Sequence, residues 1–393
     1  MNTKRKKYHN NFNSPFKIDN FNKYLISVQQ RSYQEKQFKP FPFEYVAKPE
    51  KKEIPQIKEI NINVELNDIN DLINLISTYE LRENVKYNIN MKVLHQLKEP
   101  LIELNNMIGM KELKKNILDQ IIYFVQELHK TDNNISGNND NNADYMHTVI
   151  YGPPGTGKTE IAKIMGKIFT KINILSKGTF KKVTRSDLVA GYLGQTAIKT
   201  KEVIKECLGG VLFIDEAYSL GNIEKRDSFS KECIDTLCEA LSDHKDNLMV
   251  IISGYETDLE NCFFNYNQGL NSRFTWRFKI DDYTPEDLYN IFIKKVKDIG
   301  WSIHTNSISK INTEWFTKNK DNFKFYGRDI ETFLAKTKIA HSRRVFCENL
   351  SEKKKITYDD MEKGLILYLN NNENKNKKEN EQFKKQLQFS LYS

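Results

Sequence analysis

A chain of 393 residues is long enough for two or three compact units, but a hydrophobic fraction of 39% is low for one globular body, so polar segments dilute it. No apolar run approaches the roughly 18 residues of a membrane span, and the N-terminal MNTKRKKYHNNF lacks an apolar signal core, so a membrane protein and a secreted one are not expected. The net charge of +8 is carried by an arm: residues 1–58 hold 13 Lys/Arg against 5 Asp/Glu, residues 59–370 hold 42 against 44, and a near-neutral body argues against a nucleic-acid-reading domain.

In chain order, residues 1–58 mix Asn, Lys, Gln and Pro without a sustained period and read as a disordered basic arm. Its cluster Lys4-Arg5-Lys6-Lys7 reads first as a solvated tail, with a nuclear signal or polyanion contact as the alternative. Residues 59–98 read as a small N-terminal attachment, with a strand over INVEL and one or two helices. Residues 99–282 form the main α/β domain. It opens on a helical pattern carrying Ile117, Ile121, Val125 and Leu128, followed by an Asn/Asp/Gly loop over residues 132–142. Strands and helices then alternate through HTVIYG, FKKVTR, VLFID, LMVIIS and WRFKID, which implies a parallel sheet flanked by helices.

After Tyr283 the pattern turns helical, with Thr284 as N-cap, Pro285 at the first helical position and Asp287 three residues after the cap. Residues 283–370 are expected to be a helical lid, and residues 371–393 a disordered Asn/Lys-rich tail. The five cysteines (Cys207, Cys233, Cys238, Cys262, Cys347) show no metal-site spacing. Cys233 and Cys238 fall in a helical pattern as buried thiols, and a reducing compartment fits.

The chemistry sits in two strings. Residues 152–159, GPPGTGKT, fit the phosphate-loop pattern between a strand and its helix, where backbone amides and a helix N-terminus meet an anion. Gly152, Pro153, Pro154, Gly155, Thr156 and Gly157 wrap the phosphates, Lys158 reaches the β- and γ-phosphates, and the Thr159 hydroxyl ligates Mg²⁺. In VLFIDE, Asp215 emerges at the carboxyl end of a buried strand, where open α/β sheets bind ligands. Asp215 is expected to hold Mg²⁺ through water, and Glu216 to orient or deprotonate the water that attacks ATP.

With those motifs stated, the chain resembles the AAA+ ATPases. More closely, LSKGTFKKVTRSDLVAGYLGQTAIKTKEVIKECLGGVLFIDEAYSL, DTLCEALSDHKDNLMVIISGYE and NQGLNSRF resemble the CbbX/CfxQ branch, which includes stage V sporulation protein K. The likeness runs from about Leu104 to Tyr368, and the Asn/Lys-heavy usage resembles AAA+ proteins of giant DNA viruses. It implies a P-loop AAA+ parallel sheet with a helical lid and a homo-oligomeric ring, usually a hexamer, with ATP and Mg²⁺ between subunits. It implies further that Arg273 is the arginine finger, with Arg277 as the weaker candidate, and that Arg328 is the lid's nucleotide-sensing arginine. Ile108 and Gly109 match the segment lining the adenine pocket. Tyr192, in AGYLGQT, matches the pore-loop aromatic that grips a polypeptide, and residues 222–229 match a second pore loop or an ordinary charged loop. The first-sensor position is either Ser253 or Tyr255.

The resemblance makes an ATP-driven ring that remodels or threads a protein client the leading expectation. An AAA+ ATPase acting on nucleic acid, as a loader or helicase accessory, and a nucleotide-gated scaffold are the alternatives. No membrane partner is expected. A cytoplasmic location (the host's, for a viral protein) is expected, or a nuclear one if the basic cluster is a signal.

Overall fold

The computed structural model describes residues 57–130, 144–192, 194–221, 227–349 and 352–370. Residues 1–56 of the basic arm, the 132–142 loop, most of the 222–229 segment and the Asn/Lys-rich tail therefore lie outside the described residues.

A small parallel pair, β1 (Lys58–Ile60) and β2 (Val85–Tyr87), precedes the main sheet. Between them lies α1 (Ile69–Thr78), opened by a reciprocal capping box between Asp68 and Asp71. The strand expected over INVEL is displaced. Pairing ends at Ile60, and the following segment is instead tied by Asn88, whose side-chain amide exchanges two hydrogen bonds with the backbone of Ile62. Helix α2 (Met91–Asn105) runs across residues 98 and 99, so the attachment continues without a break into the main body. Its Leu97, Leu101 and Leu104 are fully buried in the same core as the helices of that body. The helical pattern that follows is interrupted before α3 (Lys111–Val125), because Gly109 and Met110 both adopt positive φ.

The main sheet has five parallel strands: β3 (Thr148–Tyr151), β4 (Phe180–Val183), β5 (Val211–Ile214), β6 (Met249–Gly254) and β7 (Trp276–Lys279). Their spatial order is β4-β5-β6-β3-β7. Alternation along the buried strands feeds two separate cores. Val211 and Phe213 join α3 and α4 (Lys158–Lys171) on one face. Leu212 and Ile214 join α6 (Thr196–Cys207) and α7 (Ser228–Asp243) on the other, with the four-residue α5 (Arg185–Leu188) between β4 and α6. Such double coverage is what a parallel sheet requires, and each fully buried Val, Leu or Ile contributes about 1.5–3 kcal/mol. Cys207 and Cys233 are part of this filling, and burial pushes both thiols up to about 11.

Two short helices, α8 (Glu256–Cys262) and α9 (Gln268–Arg273), lead into β7. The lid then begins at α10 (Pro285–Asp298), whose Thr284–Asp287 capping box bears out the sequence signal. It continues with α11 (Thr313–Asn319), α12 (Tyr326–Arg344) and a final helix, α13, over residues 358–370. The lid is not helical throughout. β8 (Ser302–Ile303) and β9 (Lys355–Ile356) form a two-residue parallel pair, too short to leave a period in the sequence. Aromatic side chains fill the lid, with Phe333 at 5.5 Å from both Phe292 and Trp315. No described helix is long and apolar enough to cross a membrane.

Candidate active site

The carboxyl ends of β3, β5 and β6 open onto a cavity of about 450 Å³, whose walls include Ile108, the phosphate loop from Pro154 to Thr159, Asp215, Glu216 and Arg328. Strand order explains the meeting. β5 and β3 both pair with β6, so the acid pair after β5 and the loop after β3 flank a single strand. That crevice is where open α/β sheets receive ligands.

The loop is braced before any ligand arrives. Thr156 is buried; its hydroxyl donates to the Pro153 carbonyl at 2.8 Å, and its own carbonyl accepts from the Tyr283 hydroxyl at 3.1 Å. Burial pushes the Tyr283 phenol upward, which keeps it a donor. Gly157 begins α4 at φ +85°, with no side chain capping the first turn, so those backbone amides face the cavity mouth. At Gly155 the constraint is space as well as its φ of +81°. A Cβ there would stand 2.4 Å from the Phe325 carbonyl oxygen and 2.8 Å from the Arg328 Cβ. The start of α12, and Arg328 with it, thus rests on the phosphate loop.

Lys158 curls back into this loop, donating to the Gly152 and Pro153 carbonyls at 2.8 Å each. Burial lowers its pKa, while the nearby Asp215 and Glu216 carboxylates oppose that shift and Arg328 adds to it. Gly152 and Pro153 therefore hold the lysine's resting position, and the residues from Pro154 onward form the wall.

Asp215 is half-buried and has both carboxylate oxygens engaged. Ser253 donates to Oδ1 at 2.7 Å, and Lys182 of β4 stands 2.6 Å from Oδ2. Burial alone would raise its pKa; the bonds from Lys182 and Ser253 outweigh that and hold it low, so it is a carboxylate. Of the two first-sensor candidates, Ser253 is the one joined to Asp215. Tyr255 begins α8, is 38% exposed and lies against Tyr218. Glu216 follows in the left-handed region at φ +53°, ψ +48°, exposed toward the cavity. A glutamate in that region is strained.

The donor set suits a hard cation. Thr159 and Asp215 bring a hydroxyl and a carboxylate to the wall that also receives the phosphate loop. Mg²⁺ needs no more than one or two protein carboxylates beside phosphate oxygens and water. Among the described residues no cluster of three or more His, Cys, Asp or Glu offers an all-protein metal cage.

Ile108 and Gly109, expected at the adenine, are placed differently. Ile108 lines the cavity, while Gly109 lies so close to the Tyr283 ring that a Cβ would stand 2.7 Å from its Cε1. Arg273 does not line the cavity. Its Nε donates to Ser242 Oγ and its Nη1 to the Gly269 carbonyl, both at 2.7 Å, which ties the guanidinium to the ends of α7 and α9. Arg277 is committed elsewhere, paired with Glu260 at 2.7 Å and stacked 4.4 Å from the Phe264 ring centroid. Tyr192 is 75% exposed in the loop between α5 and α6, and neither Gly191 nor Gly194 has another group within 4 Å of its would-be Cβ.

Sequence reading passed over Lys182, Tyr283, Tyr326 and Arg185. Tyr326 takes φ +45°, packs edge-on against Tyr283 and donates to Asp282 at 2.7 Å, tying the lid to the domain edge. Arg185 donates to the Ser219 and Leu220 carbonyls and pairs with Asp227 at 2.5 Å, fixing the segment after Glu216. Two lysines in succession on an edge strand signal only that one points to each face.

The family model for the ATPase family associated with various cellular activities (AAA) matches residues 148–281, which span the main sheet and both acidic and phosphate-loop motifs. A putative cfxQ-like protein of Acanthamoeba polyphaga mimivirus is 39% identical over 327 residues, covering 82% of this chain and 78% of that one. Stage V sporulation protein K of Bacillus subtilis is 34% identical, with 65% and 74% covered. CbbX of Cereibacter sphaeroides is 32% identical, with 63% and 79% covered.

Proposed function

The chain belongs to the CbbX/CfxQ branch of the AAA ATPases, and on that footing we propose that it is a magnesium-dependent ATPase that works as a ring to remodel or thread a protein client. The carrying observation is the convergence of the braced phosphate loop, the Asp215–Glu216 pair and Arg328 on one cavity. The loop amides and Lys158 bind the triphosphate, and Arg328 senses it from the lid. Thr159 and Asp215 would hold Mg²⁺, which would supply charge neutralisation for the phosphates. Glu216 takes a proton from the attacking water.

Two features support the ring. Arg273 does not line its own chain's cavity, as suits a finger serving a neighbouring subunit. Tyr192 stands free on an exposed glycine-flanked loop, which suits a residue that grips an extended polypeptide.

The test separates fuel from work. Tyr192→Ala should hydrolyse ATP at the wild-type rate and lose remodelling of the client captured by ATP-trapped Glu216→Gln protein. Normal remodelling by Tyr192→Ala would refute threading, and mass photometry of the trapped sample reads the ring size. The near-neutral body weighs against a nucleic-acid substrate; ATPase stimulation by DNA at low salt would reverse that judgement.

A further inference from the structure

The carboxylate expected to face magnesium already carries a cation. The Lys182 ammonium lies 2.6 Å from Asp215 Oδ2, and Ser253 occupies Oδ1 at 2.7 Å. The two partners of this pair of oxygens, one cationic and one a neutral hydroxyl, differ in freedom. The Lys182 side chain is 44% exposed against 23% for Asp215, and its ammonium hangs 6.0 Å from the Phe213 ring centroid. Ser253, by contrast, is fully buried within β6 and cannot withdraw.

Lys182 also stands on the wall between two cavities. One is the nucleotide cavity; the other, about 610 Å³, lies beyond Asp215 and Glu216 and is bordered by Thr184, Ser186, Ser219 and Arg185, whose charge is already paired with Asp227. A long flexible side chain at that position has room to leave Asp215 without disturbing the sheet. A hydrated Mg²⁺ approaching Asp215 needs the oxygen that Lys182 now holds, and two cations on one oxygen repel. Because Lys182 is a compact point charge on a rotatable stem, the exchange costs little distortion.

We propose that Lys182 is a resident counter-ion of Asp215 that competes with Mg²⁺ and swings into the adjoining cavity when the metal–nucleotide complex binds. This assignment rests on the ATPase reading above. It makes Lys182 a positioning residue with two opposite effects. It raises the Mg²⁺ concentration needed to load the site, and it masks the Asp215 charge from the phosphates of metal-free nucleotide.

The full chain and its Lys182→Met variant, with a fluorescent ADP analogue as probe, test both effects without turnover. With Mg²⁺ titrated at fixed analogue, the variant's half-saturating Mg²⁺ should fall about threefold to tenfold, as expected for losing a partly exposed ion-pair competitor. In EDTA, its affinity for the analogue should fall by a similar factor. Lys182→Arg keeps the charge and should keep a midpoint at or above wild type. An unchanged or raised Mg²⁺ midpoint in Lys182→Met overturns the proposal while leaving the ATPase reading intact. A fall in Lys182→Arg equal to that in Lys182→Met overturns it too, since charge would then not be the cause. If the wild-type chain shows no magnesium-dependent binding at all, the ATPase reading fails and this proposal falls with it.

Discussion

Gly327 and Gly155 meet backbone to backbone: a Cβ on Gly327 would stand 2.7 Å from the Gly155 carbonyl oxygen. The lid's first turn therefore touches the phosphate loop with no side chain between them. Gly327→Ala needs no unusual backbone angle, so its effect isolates that contact. It should weaken nucleotide binding at least tenfold, and the displacement should cost about 1–3 kcal/mol of stability, as overpacking does. Nucleotide titration alongside thermal melting checks this; wild-type affinity would show that the contact is not needed for binding.

Glu216→Gln should retain ATP while turnover falls by ~10²–10⁴, the usual worth of a general base. Glutamine is close in size and shape to the glutamate that holds this turn, and the bonds to Asp215 come from Ser253 and Lys182. Phosphate release measured with nucleotide occupancy reads both quantities. Full turnover would remove Glu216 from its role.

Arg273→Ala should bind nucleotide normally yet hydrolyse it ~10³–10⁵ more slowly, provided the finger works on a neighbour. Mixing supplies the sharper measurement. Neither Arg273→Ala nor Glu216→Gln is active alone, but together they form interfaces with an intact Glu216 on one side and an intact Arg273 on the other. Mixed rings should regain a fraction of wild-type activity. An inactive mixture, with mixing verified, would count against action between subunits.

His147 makes the fold acid-sensitive. It is fully buried; its Nδ1 accepts from the Val250 amide at 3.2 Å, so Nε2 carries the proton donated to the Leu241 carbonyl at 3.0 Å. Burial lowers its pKa to about 4 from 6.5; the Leu241 bond opposes the shift and Arg273 adds to it. Between those values the unfolded chain binds a proton that the folded chain refuses. Stability is therefore full above pH 6.5 and declines as pH falls toward 4, by up to about 3 kcal/mol. Denaturant melts across that window should show the slope, and His147→Asn, which keeps an acceptor near Nδ1, should flatten it.

The parallel sheet was legible because its central strands β3, β5 and β6 are short apolar runs, and with the more polar edge strands β4 and β7 they alternate with helical patterns. The phosphate loop and acid pair were legible because their chemistry needs adjacent residues. What escaped notice needs partners far apart in sequence. Tyr283 reaches back to Thr156, and Lys182 reaches forward to Asp215; neither spacing has a local signature. The strand expected over INVEL was misplaced because alternation is equally good a few residues either way, and a single side chain, Asn88, set where pairing stopped. Which of Ser253 and Tyr255 meets Asp215 depends on side-chain direction at a strand end, which required the sheet's register.

The left-handed turn at Glu216 puts thermal robustness and catalysis in opposition at one position. Glycine accepts that turn without the penalty of roughly 1–2 kcal/mol that a side chain incurs there. Glu216→Gly should thus melt at a higher temperature than the native chain while losing its proton acceptor. A population of these chains screened only for heat resistance would drift toward inert variants, and the first thing discarded would be the acid.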